Sequence, residues 1–106
     1  PDPIDGIELH AYDANDEARF DMALQVARNL NKPIFVGEFG APGETPEQAD
    51  TFRQLLSRIV DLDIPLSALW VFDFSWQVDF SVTVDNARSW QLDLIAETNR
   101  SFRNED

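Results

Sequence analysis

The sequence contains no cysteine, one histidine and only eight lysine or arginine residues among 106. Without cysteine, disulfide bonds and thiolate metal sites are excluded, and the redox compartment stays open. A single histidine and acidic residues without ligand spacing give little support for a metal site. No apolar run approaches the roughly eighteen residues of a membrane span, so a membrane is not an expected partner.

Positive charge is the other scarce component, because twenty acidic residues leave a formal net charge of −12. Binding to nucleic acid or to an anionic membrane needs clustered lysine and arginine, so both partners are disfavoured. Most of the acidic residues are expected to cover solvated helix faces. The composition suits a ligand that is neutral or cationic.

What the chain does have is enough apolar residues for one core. Hydrophobic residues make up 43% of the sequence, with eight phenylalanines and three tryptophans. Residues 1–106 therefore read as a single folded segment. The opening Pro-Asp-Pro lacks the basic and apolar regions of a signal peptide, and we expect the chain to be a piece of a longer protein.

Three strands alternate with three helices in the pattern of apolar residues. The predicted strands are 7–11, 34–39 and 67–74, and the predicted helices are 16–31, one that begins at residue 46 and is closed by Pro65, and 90–102. Such alternation predicts an α/β fold with parallel strands and right-handed crossovers. The stripes predicted to face the core comprise Phe20, Ala23, Leu24, Ala27 and Leu30, then Phe52, Leu55, Leu56, Ile59 and Val60, then Leu92, Ile95, Ala96 and Phe102.

Local signals mark where two of these helices begin. Thr45 is a predicted N-cap, Pro46 suits the first helical position, and Gln48 completes a capping box. Asn15 is the predicted N-cap of the first helix.

The run from Lys32 to Gly40 is an apolar strand that ends in a carboxylate, Glu38, between two glycines. Alternation predicts that Ile34, Val36 and Glu38 share one face of this strand. If that face is the common inner one, Glu38 meets residues from the ends of the neighbouring strands. Those residues are His10 and Tyr12 on the first strand and Trp70 on the third.

Each of these four residues also has an ordinary structural interpretation. A lone glutamate can pair with an arginine or cap a loop, and a lone histidine is often a satisfied core residue. Tyr12 and Trp70, taken singly, suit core aromatics. Their coincidence at equivalent ends of three successive strands favours a site.

The three motifs His10-Ala11-Tyr12, Gly37-Glu38-Phe39-Gly40 and Ala68-Leu69-Trp70-Val71-Phe72 resemble those of clan A (β/α)8-barrel glycoside hydrolases, most closely glycoside hydrolase family 5, the cellulase and mannanase group. The resemblance covers nearly the whole chain. It implies the sixth, seventh and eighth βα units of a TIM barrel, and so an incomplete barrel, since a full one takes about 250 residues.

The resemblance also implies roles. Glu38 would be the nucleophile of a retaining O-glycosyl hydrolase, and Trp70 would be a platform beneath a sugar. His10 and Tyr12 would hydrogen-bond near Glu38, with Tyr12 orienting the carboxylate and helping to keep it ionised. The second carboxyl group, about 5–5.5 Å from the first, is expected on a strand upstream of residue 1. No cofactor is implied. The expected partners are a β-linked oligo- or polysaccharide and either the missing N-terminal barrel portion or a second copy, and secretion is favoured.

Two other classes of protein remain open. One is a non-catalytic carbohydrate-binding or assembly module that keeps the aromatic residues. The other is a flavodoxin-like domain whose phosphate loop would be residues 40–45, although Pro42 and Glu44 make a poor anion nest.

Overall fold

A computed structural model describes residues 4–13, 16–42 and 44–103. It contains a parallel three-stranded sheet in the order β1-β2-β3. The elements are β1 (Ile7–Ala11), α1 (Glu17–Leu30), β2 (Ile34–Phe39), α2 (Pro46–Asp61), β3 (Leu66–Leu69) and α3 (Ser89–Arg103). The predicted α/β class and parallel pairing are confirmed, and the architecture is compatible with partial βα units.

The start of α2 follows the local sequence closely. Thr45 Oγ1 accepts the Gln48 backbone N–H at 3.2 Å, and Gln48 Oε1 accepts the Thr45 N–H at 3.2 Å. This predicted capping box is confirmed, with Pro46 at the first helical position. For α1, the predicted cap Asn15 lies outside the described residues, and the helix begins at Glu17, one residue later than predicted.

The third strand is shorter than predicted. It ends at Leu69, whereas the prediction extended it to residue 74. The cause is a competing partner for the backbone beyond it: the Val82 N–H donates to the Val71 carbonyl at 2.8 Å, and the Asp73 N–H donates to the Val82 carbonyl at 3.0 Å. Residues 71–73 therefore pair with the long connection before α3.

The core lies between one face of the sheet and the helices. Its strand residues are Leu9, Ala11, Ile34, Val36 and Phe39, and its helix residues include Phe20, Ala27, Phe52, Leu55, Leu56 and Ile59. We call this side of the sheet the covered face and the opposite side the uncovered face. Three residues predicted to face the core, Leu30, Ala96 and Phe102, are exposed, because they fall outside the contact stripes of their helices.

A cavity of about 550 Å³ separates α2 from α3 behind β3. Leu56, Ile59, Ile95 and Phe102 are among its lining residues, and it does not include Glu38. Elsewhere α3 packs against the core through Trp90 and Leu94. None of the described helices has the length and apolar character needed to cross a membrane.

Candidate active site

Glu38 reaches its position through an irregularity in β2 that strand alternation did not predict. Leu9 pairs with Val36 and His10 pairs with Glu38, so β2 has one more residue than β1 at this point. That extra residue is Gly37, and the pairing with β3 shifts in the same interval. The arrangement is a β-bulge.

The bulge decides which face of the sheet carries Glu38. Ile34 and Val36 are buried on the covered face, as is Phe39, while Glu38 lies with His10 on the opposite face. The prediction that Ile34, Val36 and Glu38 share one face is therefore wrong. A one-residue insertion reverses the alternation beyond it, which moves Glu38 to the uncovered face.

The side chains of Glu38, Tyr12 and His10 meet on that face, whereas their convergence was predicted on the face of Ile34 and Val36. The Tyr12 hydroxyl donates a short hydrogen bond to Glu38 Oε2. His10 Nδ1 lies 2.8 Å from the same oxygen. Among the described residues no hydrogen bond reaches Glu38 Oε1, and the side chain is 23% exposed. The described contacts of the carboxylate therefore all fall on one of its two oxygens.

The environment of Tyr12 holds its hydroxyl in the neutral form. Burial raises the pKa of Tyr12 well above its usual range, and the hydrogen bond to Glu38 and the charges of Glu38 and Asp16 raise it further. The hydroxyl therefore remains a donor to Glu38 at any physiological pH.

The backbone at the end of β1 is fixed by Asp16. Its Oδ2 accepts the Tyr12 N–H at 2.6 Å and the Asp13 N–H at 3.0 Å, and its Oδ1 pairs with Arg19 at 3.2 Å. The ring of Phe80 packs edge-on against Tyr12 at 5.9 Å between centroids. Tyr12 is thus positioned from both its backbone and its ring.

Trp70 stands just after β3, beside the strand that carries Glu38. Its backbone N–H donates to the Phe39 carbonyl at 2.8 Å, and its indole Nε1–H donates to Gln77 Oε1 at 2.5 Å. Its carbonyl oxygen approaches Gly40 so closely that a Cβ at residue 40 would overlap it. The indole makes no hydrogen bond to Glu38 among the described residues, because its N–H is used by Gln77.

The loop that follows β2 is held by two residues that sequence reasoning missed. Arg88 is 5% exposed, and its guanidinium donates to the Pro42 carbonyl at 2.5 Å and to Glu44 Oε1 at 2.7 Å. The buried Gln91 side chain donates to the Ala41 carbonyl at 3.1 Å. A buried arginine in a connection has no signal in the sequence, because its carbonyl partners are found only after folding.

This loop does not form a phosphate-binding nest within the part of it that the structure describes. The N–H groups of Glu44 and Thr45 both donate to Gln48 Oε1, and the carbonyls of Ala41 and Pro42 are turned to α3 and to Arg88. Gly43 lies outside the described residues. These two backbone N–H groups are therefore already hydrogen-bonded and are not available to bind an anion, which argues against the flavodoxin-like alternative.

A second carboxylate, Glu8, belongs to the cluster on its far side. Glu8 Oε1 lies 3.1 Å from His10 Nε2. Its position two residues before His10 on β1 is the sequence signal for a shared face. Between residues 4 and 103, leaving aside 14, 15 and 43, no group of three or more potential ligands is arranged to hold a metal ion.

Comparisons with models of known protein families, with curated proteins and with solved structures gave no match to this chain. What the fold and the cluster define is an α/β unit with a hydrogen-bonded carboxylate at the carboxyl end of its central strand.

Proposed function

We propose that the chain supplies the nucleophile of a retaining O-glycosyl hydrolase of the cellulase or endo-β-glucanase type. The observation that carries this proposal is the asymmetry of Glu38. The Tyr12 hydroxyl donates to Oε2 and His10 Nδ1 lies 2.8 Å from it, whereas no hydrogen bond reaches Oε1 among the described residues. A carboxylate nucleophile needs such neighbours to aim it while leaving one oxygen free to react.

In the proposed reaction, Glu38 Oε1 attacks the anomeric carbon of a β-linked sugar and the glycosidic C–O bond breaks. The departing oxygen takes a proton from a second carboxyl group, and a glycosyl ester on Glu38 remains. Water, deprotonated by that same second group, then displaces the sugar from Glu38 and restores the carboxylate. The Tyr12 hydroxyl stays neutral because its pKa is raised. Its hydrogen bond to Glu38 weakens when the carboxylate becomes an uncharged ester and strengthens when the carboxylate is restored.

The second carboxyl group must come from outside the cluster, about 5–5.5 Å from Glu38. Glu8 is a poor candidate because it is bound to the far nitrogen of His10. We place the acid/base residue on a strand that would pair with an open edge of the sheet. In the described part of the chain, β1 and β3 each have one edge without a strand neighbour.

The open sheet also motivates the expected partners. An unpaired parallel edge and an uncovered sheet face invite association with further strands. We propose that the remaining units of a TIM barrel cover them, with a second copy of this chain as the alternative. A neutral polysaccharide suits the strongly acidic composition, and such a substrate favours a secreted enzyme.

The test combines this chain with the first five βα units of a family 5 cellulase and measures hydrolysis of a chromogenic β-cellobioside. Glu38→Gln should lower the rate by at least about 1,000-fold, because the covalent route is lost. Glu97→Gln is the matched control, since it removes the same charge from an exposed position on α3. An activated 2-deoxy-2-fluoro-β-cellobioside should label the peptide that contains Glu38. Full activity of Glu38→Gln would refute the assignment.

A saccharide-binding module without catalysis is the second candidate. Exposed aromatic rings favour it: Phe72 and Trp76 are 55% and 87% exposed in the connection after β3. Such rings stack on the C–H faces of sugars. This candidate predicts that the chain alone binds cello-oligosaccharides, that Trp70→Ala weakens binding and that Glu38→Gln does not. Absence of binding by calorimetry would remove it.

A further inference from the structure

His10 lies between two carboxylates, and the proposed reaction uses only one of them. Its Nδ1 is 2.8 Å from Glu38 Oε2, and its Nε2 is 3.1 Å from Glu8 Oε1. A neutral imidazole has one N–H and donates to one acceptor, whereas an imidazolium donates to both. The carboxylate of Glu8 therefore influences whether the imidazole of His10 donates a hydrogen bond to Glu38.

Glu8 occupies space that the sequence keeps open at Gly37. A Cβ at residue 37 would overlap the Glu8 carboxylate, with 2.6 Å to Cδ and 2.9 Å to Cγ. The backbone of Gly37 does not lie in the left-handed region, so its dihedral angle does not require glycine. A side chain at residue 37 would therefore displace the flexible Glu8 carboxylate, which lies over the bulge.

We propose that Glu8 is a positioning residue for Glu38 and acts through His10. In the imidazolium form of His10, the Glu8 carboxylate accepts the Nε2–H and fixes the ring plane, so that the Nδ1–H is aimed at Glu38 Oε2. Oε2 is then held from two sides, by His10 and by Tyr12, and Oε1 is left to react. The catalytic meaning rests on the proposed role of Glu38, whereas the hydrogen-bonded arrangement can be tested without it.

The other charged groups near His10 act elsewhere. Arg19 donates to the His10 backbone carbonyl at 3.4 Å and pairs with Asp16. Asp16 in turn binds backbone N–H groups at the end of β1. These contacts fix the strand, while Glu8 and Glu38 are the charged groups of the described residues that pair with the ring itself.

The chain offers a direct readout, because His10 is its single histidine. Nitrogen-15 spectra of the imidazole, recorded at about pH 5, where an ordinary histidine is protonated, report on this ring alone. We expect both ring protons to exchange slowly with water. Glu8→Ala should speed exchange of the Nε2 proton by about tenfold or more, because its charged acceptor is gone.

Two further variants and a control separate positioning from general damage. Gly37→Ala leaves Glu8 chemically intact but displaces it, so it should reproduce the fast exchange of Glu8→Ala. Glu8→Gln keeps an acceptor oxygen and should restore part of the protection. Glu97→Gln, on α3, should leave the spectrum unchanged. Unchanged Nε2 exchange in both Glu8→Ala and Gly37→Ala would overturn the proposal, whatever the activity measurements give.

In the reconstituted barrel, Glu8→Ala should lower kcat by about tenfold and leave KM unchanged, with partial rescue by Glu8→Gln. A fall in the affinity for substrate with unaltered kcat would contradict a role that acts through Glu38. If Glu38→Gln proves active while the exchange data hold, the proposed function fails and the contact between Glu8 and His10 stands.

Discussion

The two faces of the sheet are built by the same three strands, fifteen residues in all, but they carry different kinds of side chain. The covered face carries Leu9, Val36 and Phe39, all 8% exposed or less, packed against α1 and α2. The uncovered face carries Glu8, His10 and Glu38, and the imidazole of His10 lies between the two carboxylates. A charged group is tolerated here because it stays partly solvated and hydrogen-bonded. The comparison teaches that the core and the candidate site are built from alternate residues of the same strands.

The largest expected effect comes from breaking the covered face. Phe52 is fully buried and packs against Phe39 and Trp90, at 5.7 and 5.3 Å between ring centroids. Phe52→Ala should lower the free energy of unfolding by about 3–5 kcal/mol, through lost transfer energy and the cavity that remains. Leu66→Ala, at a residue 64% exposed, should change it by no more than about 0.5 kcal/mol. Urea denaturation measures both, and equal losses would contradict the assignment of faces.

A smaller effect is expected from deleting the residue that reverses the alternation. Without Gly37, the pairs Leu9–Val36, His10–Glu38 and Ala11–Phe39 form one regular register. Every other residue of β2 then keeps its face, so the deletion should cost only about 1 kcal/mol. Urea denaturation and the imidazole spectrum of His10 would check this. Global unfolding would show that the bulge supports more than the local geometry.

The smallest effect at neutral pH, and the most specific to the uncovered face, concerns Tyr12. Its raised pKa means that the folded state keeps the phenol proton more tightly than the unfolded state. The stability that goes with the neutral phenol is fully present below about pH 10 and is lost as the pH rises from there toward the raised pKa.

Tyr12 is the only tyrosine, so absorbance at 295 nm reports on it alone. The native chain should show little tyrosinate at about pH 11, and the unfolded chain should show nearly complete ionisation. Glu38→Gln should move the native titration to lower pH, because a charge and a hydrogen-bond acceptor are replaced. An ordinary tyrosine titration in the native wild type would contradict the contact between Tyr12 and Glu38.

Much of the fold follows from local sequence signals. The bounds of β1 and β2 and the start of α2 were predicted correctly, because apolar patterns and capping boxes are satisfied by neighbours in the chain. The meeting of His10, Tyr12 and Glu38 was also predicted, since parallel strands bring their carboxyl ends to one edge. The role assigned to that meeting remains a proposal.

Other features were decided by tertiary structure alone. The bulge at Gly37 depends on pairing with β1 and β3, and it reversed the predicted face of Glu38. β3 ends at Leu69 because the backbone beyond it pairs with residues 80–82. The contacts of Arg88 join positions more than forty residues apart. The sequence by itself therefore determined which strand ends bring the polar residues together, and long-range pairing determined the face on which they lie.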